Sequence, residues 1–335
     1  MRVLVLGGTR FVGRTALELA VSRGHEVTIV HRGLTGNSPP GVEAILGDRT
    51  LPGGLDALGG REWDFVLDTW AGPPRVVLDA ARRLADSVGR YAYVSSLSAH
   101  RWPPLPGATE DAPTVDARPD AEEGDYASCK RGAELAVRDV FGARALIARP
   151  GLILGPYEDI GRLPWWLNRM LRGGPVLAPA PPTRPLQYID ARDLVGWLLD
   201  APDRGLSGVY ITVSRPGHTT LGALLEICRQ VTGGVAELVW VDEQAILDAG
   251  IEPWIGVPIW LPFAGGAAAL QDADPNRAQA AGLRCRPVEE TVADTWAWLR
   301  SGAPPRLRDI EERMTAETEA AFLRAWTAPS RGDHG

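Results

Sequence analysis

One lysine, three cysteines and three methionines stand in 335 residues. The cysteines, Cys129, Cys228 and Cys285, lie far apart with no CxxC pair. That argues for a reducing compartment and against a structural metal, so no metal site is expected. No apolar run approaches the roughly 20 residues of a membrane-spanning helix, and the first residues read as a strand rather than a charged leader. A cytoplasmic protein without a membrane partner is expected. Basic blocks are missing too: the net charge is −7, which argues against nucleic acid as a partner. An apolar share of 45% is that of a globular core, and the length suits one large or two medium domains.

The chain opens on Met1-Arg-Val-Leu-Val-Leu-Gly-Gly-Thr-Arg-Phe-Val-Gly13. This reads as a short buried strand, Val3 to Leu6, a glycine turn, and a helix from Phe11 to Arg23. Gly7 and Gly8 permit the tight turn and Gly13 lets the helix pack close to the sheet. Such a turn aims a helix N-terminus at a pyrophosphate. A second strand, Glu26 to Val30, follows at the distance of a βαβ unit. Further strand-like runs at Val42 to Leu46, Phe65 to Leu67, Tyr91 to Ser95 and Ala145 to Ala148 alternate with helical stretches near Arg75 to Ser87 and Tyr126 to Val140. This alternation predicts a Rossmann-like, doubly wound parallel α/β sheet. Residues 1–150 form the expected nucleotide-binding domain, with returns near 185–200. Residues 151–328 form a smaller, interleaved substrate lobe ending in an amphipathic stretch, Arg306 to Trp326, packed on the body or on a second subunit of a homodimer. Beyond Ala328 the chain is expected to fray. The loops Gly33 to Gly41 and Trp102 to Gly124 flank strand ends and are candidate rims of a site.

The sharpest chemical signal is Tyr126-Ala-Ser-Cys-Lys130. Lys130 is the lone lysine; the other 34 of 35 basic residues are arginine. Residues i and i+4 share a helix face, so the ammonium can sit near the phenol and favour phenolate, a route to proton exchange at neutral pH. Tyr93-Val-Ser-Ser-Leu-Ser98 supplies hydroxyls at the end of a predicted strand, and Ser96 is the candidate third member.

On these residues the chain resembles the extended short-chain dehydrogenase/reductases, relatives of the sugar-nucleotide epimerases and dehydratases. The glycine turn, Gly47-Asp48, Asp64 to Asp68, Ser96, Tyr126 to Lys130, Arg149-Pro150-Gly151 and Tyr188 to Asp193 carry the resemblance. The form Gly7-Gly-Thr-Arg-Phe11 looks most like an atypical branch holding bacterial reductase-like proteins and chloroplast stem-loop RNA-binding proteins. The resemblance implies that Tyr126 is the general acid/base, that Lys130 binds the nicotinamide ribose and lowers the phenol pKa, and that Ser96 bonds the substrate oxygen. It places Gly7, Thr9, Arg10, Phe11, Val12, Gly13, Asp48 and Arg49 at the cofactor, with Asp48 against adenine.

The departures from the family pattern are informative. Arg10 replaces the middle glycine of the usual turn. The second strand ends in His31-Arg32-Gly33 where an acid would bind the ribose diol of NAD, so Arg32 points to NADP, with NAD less favoured. Leu97 and Ser98 replace the Asp-Glu of the dehydratases. Leu186 stands where sugar-nucleotide enzymes commonly have Arg, with Arg184 displaced by two. Trp165, Trp166, Trp254 and Trp260 suggest an apolar or aromatic small-molecule substrate, and His100 replaces the family's usual Tyr near the site. The expected function is an NADP-dependent reductase or dehydrogenase of such a molecule. The rivals are a sugar-nucleotide epimerase working through a transient ketone, and a non-catalytic NADP-sensing or RNA-binding protein.

Overall fold

The computed structural model describes residues 1–34, 38–302, 307 and 314–327. Six strands, β1 (Arg2–Leu6), β2 (Glu26–His31), β3 (Val42–Leu46), β4 (Trp63–Asp68), β5 (Val88–Val94) and β6 (Ala145–Pro150), join a later strand, Gly208–Thr212, in one sheet. All pairings are parallel, and the order across the sheet is Gly208–Thr212, β6, β5, β4, β1, β2, β3. The chain therefore leaves β1 in one direction for β2 and β3 and returns on its other side through β4 to β6. This is the doubly wound Rossmann-like arrangement, whose ligand crevice lies at that switch point.

β1 shows why the sheet is covered on both faces. Val3 and Val5 pack with helix α1 (Phe11–Ser22), whereas Leu4 and Leu6 pack with α2 (Pro74–Leu84) and α3 (Tyr126–Phe141). Alternate residues of a strand face opposite ways, and here both directions end in apolar cores. A later helix, Ala191–Asp200, lies beside α1 on the first face. The second lobe has its own core, built from Trp165, Trp166, Leu167 and Met170 of α4 (Arg162–Arg172) with Leu224, Leu225, Trp260 and Val292.

Of the stretch Arg306 to Trp326, Arg306 and residues 308–313, including Ile310, fall outside the described residues. The helix Ala316–Thr327 packs on the second lobe through Leu323, and its buried Glu319 accepts from the Leu177 amide at 3.0 Å and from Arg169. Residues beyond Ala328 also lie outside the description. Among the described residues no helix is long and apolar enough to cross a membrane, and no cluster of His, Cys, Asp or Glu is arranged to hold a metal ion.

Candidate active site

At the carboxyl ends of β1, β4, β5 and β6 a cavity of about 1010 Å³ runs from the glycine turn to the second lobe. Gly7, Gly8, Thr9, Arg10, Phe11, Val12 and Gly13 line one end. The turn has no room for side chains at its tightest point, where a Cβ on Gly13 would fall 2.0 Å from the Gly8 Cα. Gly7 and Gly8 take φ of 81° and 153°, which L side chains rarely adopt. Arg10, the N-cap residue of α1, makes no side-chain cap hydrogen bond, and the N-terminal end of the helix faces the cavity, where its dipole favours an anion. The cradle fits a dinucleotide pyrophosphate. Arg10, at the head of α1, reaches across to the buried Asp159 of the second lobe at 3.4 Å.

Arg32 lines the same end, and its charge acts on Asp48. Asp48 accepts from the Thr50 hydroxyl and amide at 2.6 and 3.0 Å, bonds that hold its carboxyl below the usual range. Neither Asp nor Glu ends β2: the Nδ1 of His31 accepts from the Gly33 amide at 3.1 Å. Arg49 borders the cavity, but its two terminal nitrogens form a bidentate pair with the fully buried Asp68 at 2.7 and 2.8 Å.

Ser96, Tyr126 and Lys130 meet in the middle of the cavity. The inward face of α3 grips the end of β5 turn by turn. Tyr126 hydrogen-bonds Ser96, Lys130 donates to the Val94 carbonyl at 2.8 Å, and Glu134 accepts from the Ser95 hydroxyl at 2.6 Å. Asp125 caps the helix by accepting from the Ser128 amide at 2.7 Å. Ser96 also accepts from the Ser98 amide at 3.1 Å, which fixes its Oγ over the short turn that follows β5.

Lys130 is 3% exposed and sends a second bond to the Trp70 carbonyl at 2.7 Å. Burial lowers its pKa to about 8, against the opposing charges of Asp68 and Glu134. Tyr126 is raised by desolvation of its hydroxyl, against the bond to Ser96 and the charge of Arg162. The ammonium lies 5.9 Å from the Tyr126 ring centroid. The charge of Arg162, from the second lobe, acts on the phenol as well. Arg162 opens α4, and its guanidinium stacks on the Trp254 ring at 4.8 Å.

Four residues expected at the substrate are placed elsewhere. Trp165 and Trp166 lie edge to face, 4.8 Å between centroids, within the core of the second lobe. Arg184 is buried against Glu243 at 2.6 Å and donates to the Leu261 carbonyl at 2.9 Å. His100 is buried beside Arg149, its Nε2 accepting at 2.9 Å, and burial together with that guanidinium pushes its pKa down to about 4. None of the four lines the cavity. Its substrate end is walled instead by Trp102, Ile160, Arg162, Trp254, Leu261 and Leu270. Of these, Trp254 stood among the tryptophans read from the sequence, and Trp102 begins a loop read as a rim. Nothing in the local pattern marks Arg162.

Residues 60–211 match the model of the NAD dependent epimerase/dehydratase family. The chain is 29% identical over 237 residues to the epimerase family protein SDR39U1 of Bos taurus, covering 66% of this chain and 76% of that one. Its fold resembles the Bordetella bronchiseptica enzyme WbmH in complex with NAD+, with a TM-score of 0.69 at 19% identity over 90% of this chain and 98% of that one. It also resembles the Thermus thermophilus UDP-glucose 4-epimerase complex with NAD, with a TM-score of 0.64 at 21% identity over 90% of this chain and all of the other. Over residues 60–211 the chain is similar to the NAD dependent epimerase/dehydratase family, and its fold is the one seen in the extended short-chain dehydrogenase/reductase type of NAD(P)-dependent enzyme.

Proposed function

We propose that the protein is an NADP-dependent oxidoreductase that reduces a carbonyl, or oxidises the matching alcohol, on an apolar or aromatic small molecule. The observation that carries this reading is the convergence of Ser96, Tyr126 and Lys130 in one cavity whose substrate end is largely apolar. The glycine turn would hold the pyrophosphate, Arg32 the 2′-phosphate, Asp48 the adenine side and Lys130 the nicotinamide ribose. When bound, the cofactor supplies or accepts a hydride.

The chain's own residues handle the proton and the charge. The Tyr126 hydroxyl donates a proton to the carbonyl oxygen in reduction, and Ser96 bonds that oxygen as negative charge develops on it. Arg162 sets a positive charge beside the phenol and so favours its phenolate form once the proton has left. Trp102, Trp254, Leu261 and Leu270 exclude water and select the substrate by fit, at about 1 to 3 kcal/mol for each methylene-sized change.

A second reading, epimerisation of a nucleotide sugar through a transient ketone, draws support from the family match and from the UDP-glucose 4-epimerase among the similar folds. Against it stands Arg184, whose guanidinium is occupied by Glu243 and the main chain. The test is to follow NADPH absorbance against a panel of apolar ketones and of UDP- and dTDP-sugars. Turnover of the ketones with no effect of the sugars supports the reductase, and saturable competition by free UDP overturns it in favour of the epimerase.

A further inference from the structure

Trp70, immediately beyond β4, is fixed at every polar atom. Its amide donates to Asp68 Oδ1 at 2.9 Å and its indole Nε1 donates to the Pro73 carbonyl at 3.0 Å. Its carbonyl accepts from Lys130 Nζ at 2.7 Å and from the Tyr93 hydroxyl at 2.8 Å. The ring lies over the backbone of Gly72, where an added Cβ would come within 3.0 Å of it, and faces the Arg49 guanidinium at 5.4 Å. Behind this turn, Asp68 has no exposure and is held by Arg49 through two bonds and by Tyr91 through a third, at 2.6 Å.

A buried ion pair of this kind is a poor source of stability, because well-packed aliphatic side chains commonly do as well. Its worth lies in direction. Asp68 Oδ1 accepts from both Arg49 Nη1 at 2.7 Å and the Trp70 amide at 2.9 Å, and the carbonyl of that same Trp70 is the one to which Lys130 donates. We infer that the Arg49–Asp68 pair is a positioning device for Lys130, acting through the main chain of Trp70, and that Arg49 is not a ligand of the cofactor. The inference rests on the role given to Lys130 above, and it makes Arg49, Asp68 and Trp70 positioning residues that touch neither substrate nor reacting atoms.

The lone lysine makes the test direct. Protein carrying lysine labelled with 13C at Cε gives a single lysine signal, whose position and titration report Lys130 in the full chain. The groups acting on it are Asp68 from β4 with Arg49 behind it, Tyr93 from β5, and Tyr126, Cys129 and Glu134 from α3. Arg49→Met removes the compensating charge. Trp70→Phe keeps every charge but loses the indole anchor to Pro73. Both folded variants are expected to move the Lys130 signal and to shift its titration midpoint by about half a pH unit or more. By calorimetry, Arg49→Met should leave NADPH affinity within about threefold of the wild type.

An unmoved lysine signal in either folded variant overturns the inference, and if Arg49→Met fails to fold, Trp70→Phe decides by the same rule. A loss of NADPH affinity of about tenfold or more in Arg49→Met, absent from Trp70→Phe, also overturns it by making Arg49 a cofactor ligand. A wild-type protein that turns over no carbonyl while both signals shift as expected would sink the proposed reaction and leave the positioning device standing.

Discussion

Lys130 ties the chemistry of the site to the stability of the fold. Its folded pKa of about 8 lies below the 10.5 of an unburied lysine, so folding favours the neutral amine. Below pH 8 the ammonium is present in both states and the burial penalty is full. As pH rises from 8 toward 10.5 the folded chain releases its proton first, the unfolded chain binds more protons, and stability rises. The depression corresponds to a penalty of about 3 kcal/mol at neutral pH, of which about 2 kcal/mol disappears between pH 8 and pH 10. Lys130→Met cannot titrate; it leaves the Val94 carbonyl without this donor but keeps the volume of the stem. Urea unfolding of the cofactor-free protein at pH 7, 8, 9 and 10 should show wild type gaining on Lys130→Met across the upper half of the range, whatever the offset at pH 7. Parallel curves would refute the account of Lys130 as a buried, desolvated cation.

Further outcomes follow from the same geometry. With an arginine and no acid at the end of β2, NADPH is expected to bind at least about tenfold more tightly than NADH, and Arg32→Ala to erase the difference, by calorimetry. Tyr126→Phe should lower kcat by about 10² to 10⁴ while leaving NADPH affinity within about threefold, which single-turnover kinetics and cofactor titration separate. Lys130→Arg should also remove most turnover in a folded protein, because a guanidinium does not reproduce the two bonds to Val94 and Trp70. Arg184→Met should destabilise the fold by about 1 to 3 kcal/mol, since Glu243 loses its partner, with KM for an apolar substrate unchanged. A raised KM with stability intact would return Arg184 to the substrate site.

What was legible in the sequence follows from local periodicity. The β1 turn, the alternation of strands and helices and the shared face of Tyr126 and Lys130 are all set by residues within a few positions of each other. Periods of 2 and 3.6 report such relations directly. The partners of Lys130 are main-chain carbonyls 60 and 36 residues away, at Trp70 and Val94, and no spacing rule carries that information. The same limit separates Trp165 and Trp166, which the second lobe buries, from Trp254, which it leaves on the cavity wall. Composition alone gave all three one meaning. Arg184 and Arg162 divide in the same way: one is neutralised by Glu243, brought to it by the fold, and the other stacks on Trp254 beside the phenol. The Trp70 turn carried a usable sign, since it lies just past the carboxyl end of a central strand, where an open α/β sheet builds its site.

The central claim is a net hydride transfer to an apolar carbonyl with Tyr126 as the proton donor. It is tested most directly with NADPH deuterated at the transferable position, incubated with the purified protein and the ketone panel, and the products read by mass spectrometry and NMR. The account predicts one deuterium on the carbinol carbon, one NADPH consumed for each alcohol formed, and loss of the signal in Tyr126→Phe. Inversion of a nucleotide sugar with no net consumption of cofactor, and no labelled alcohol from any ketone, would contradict it.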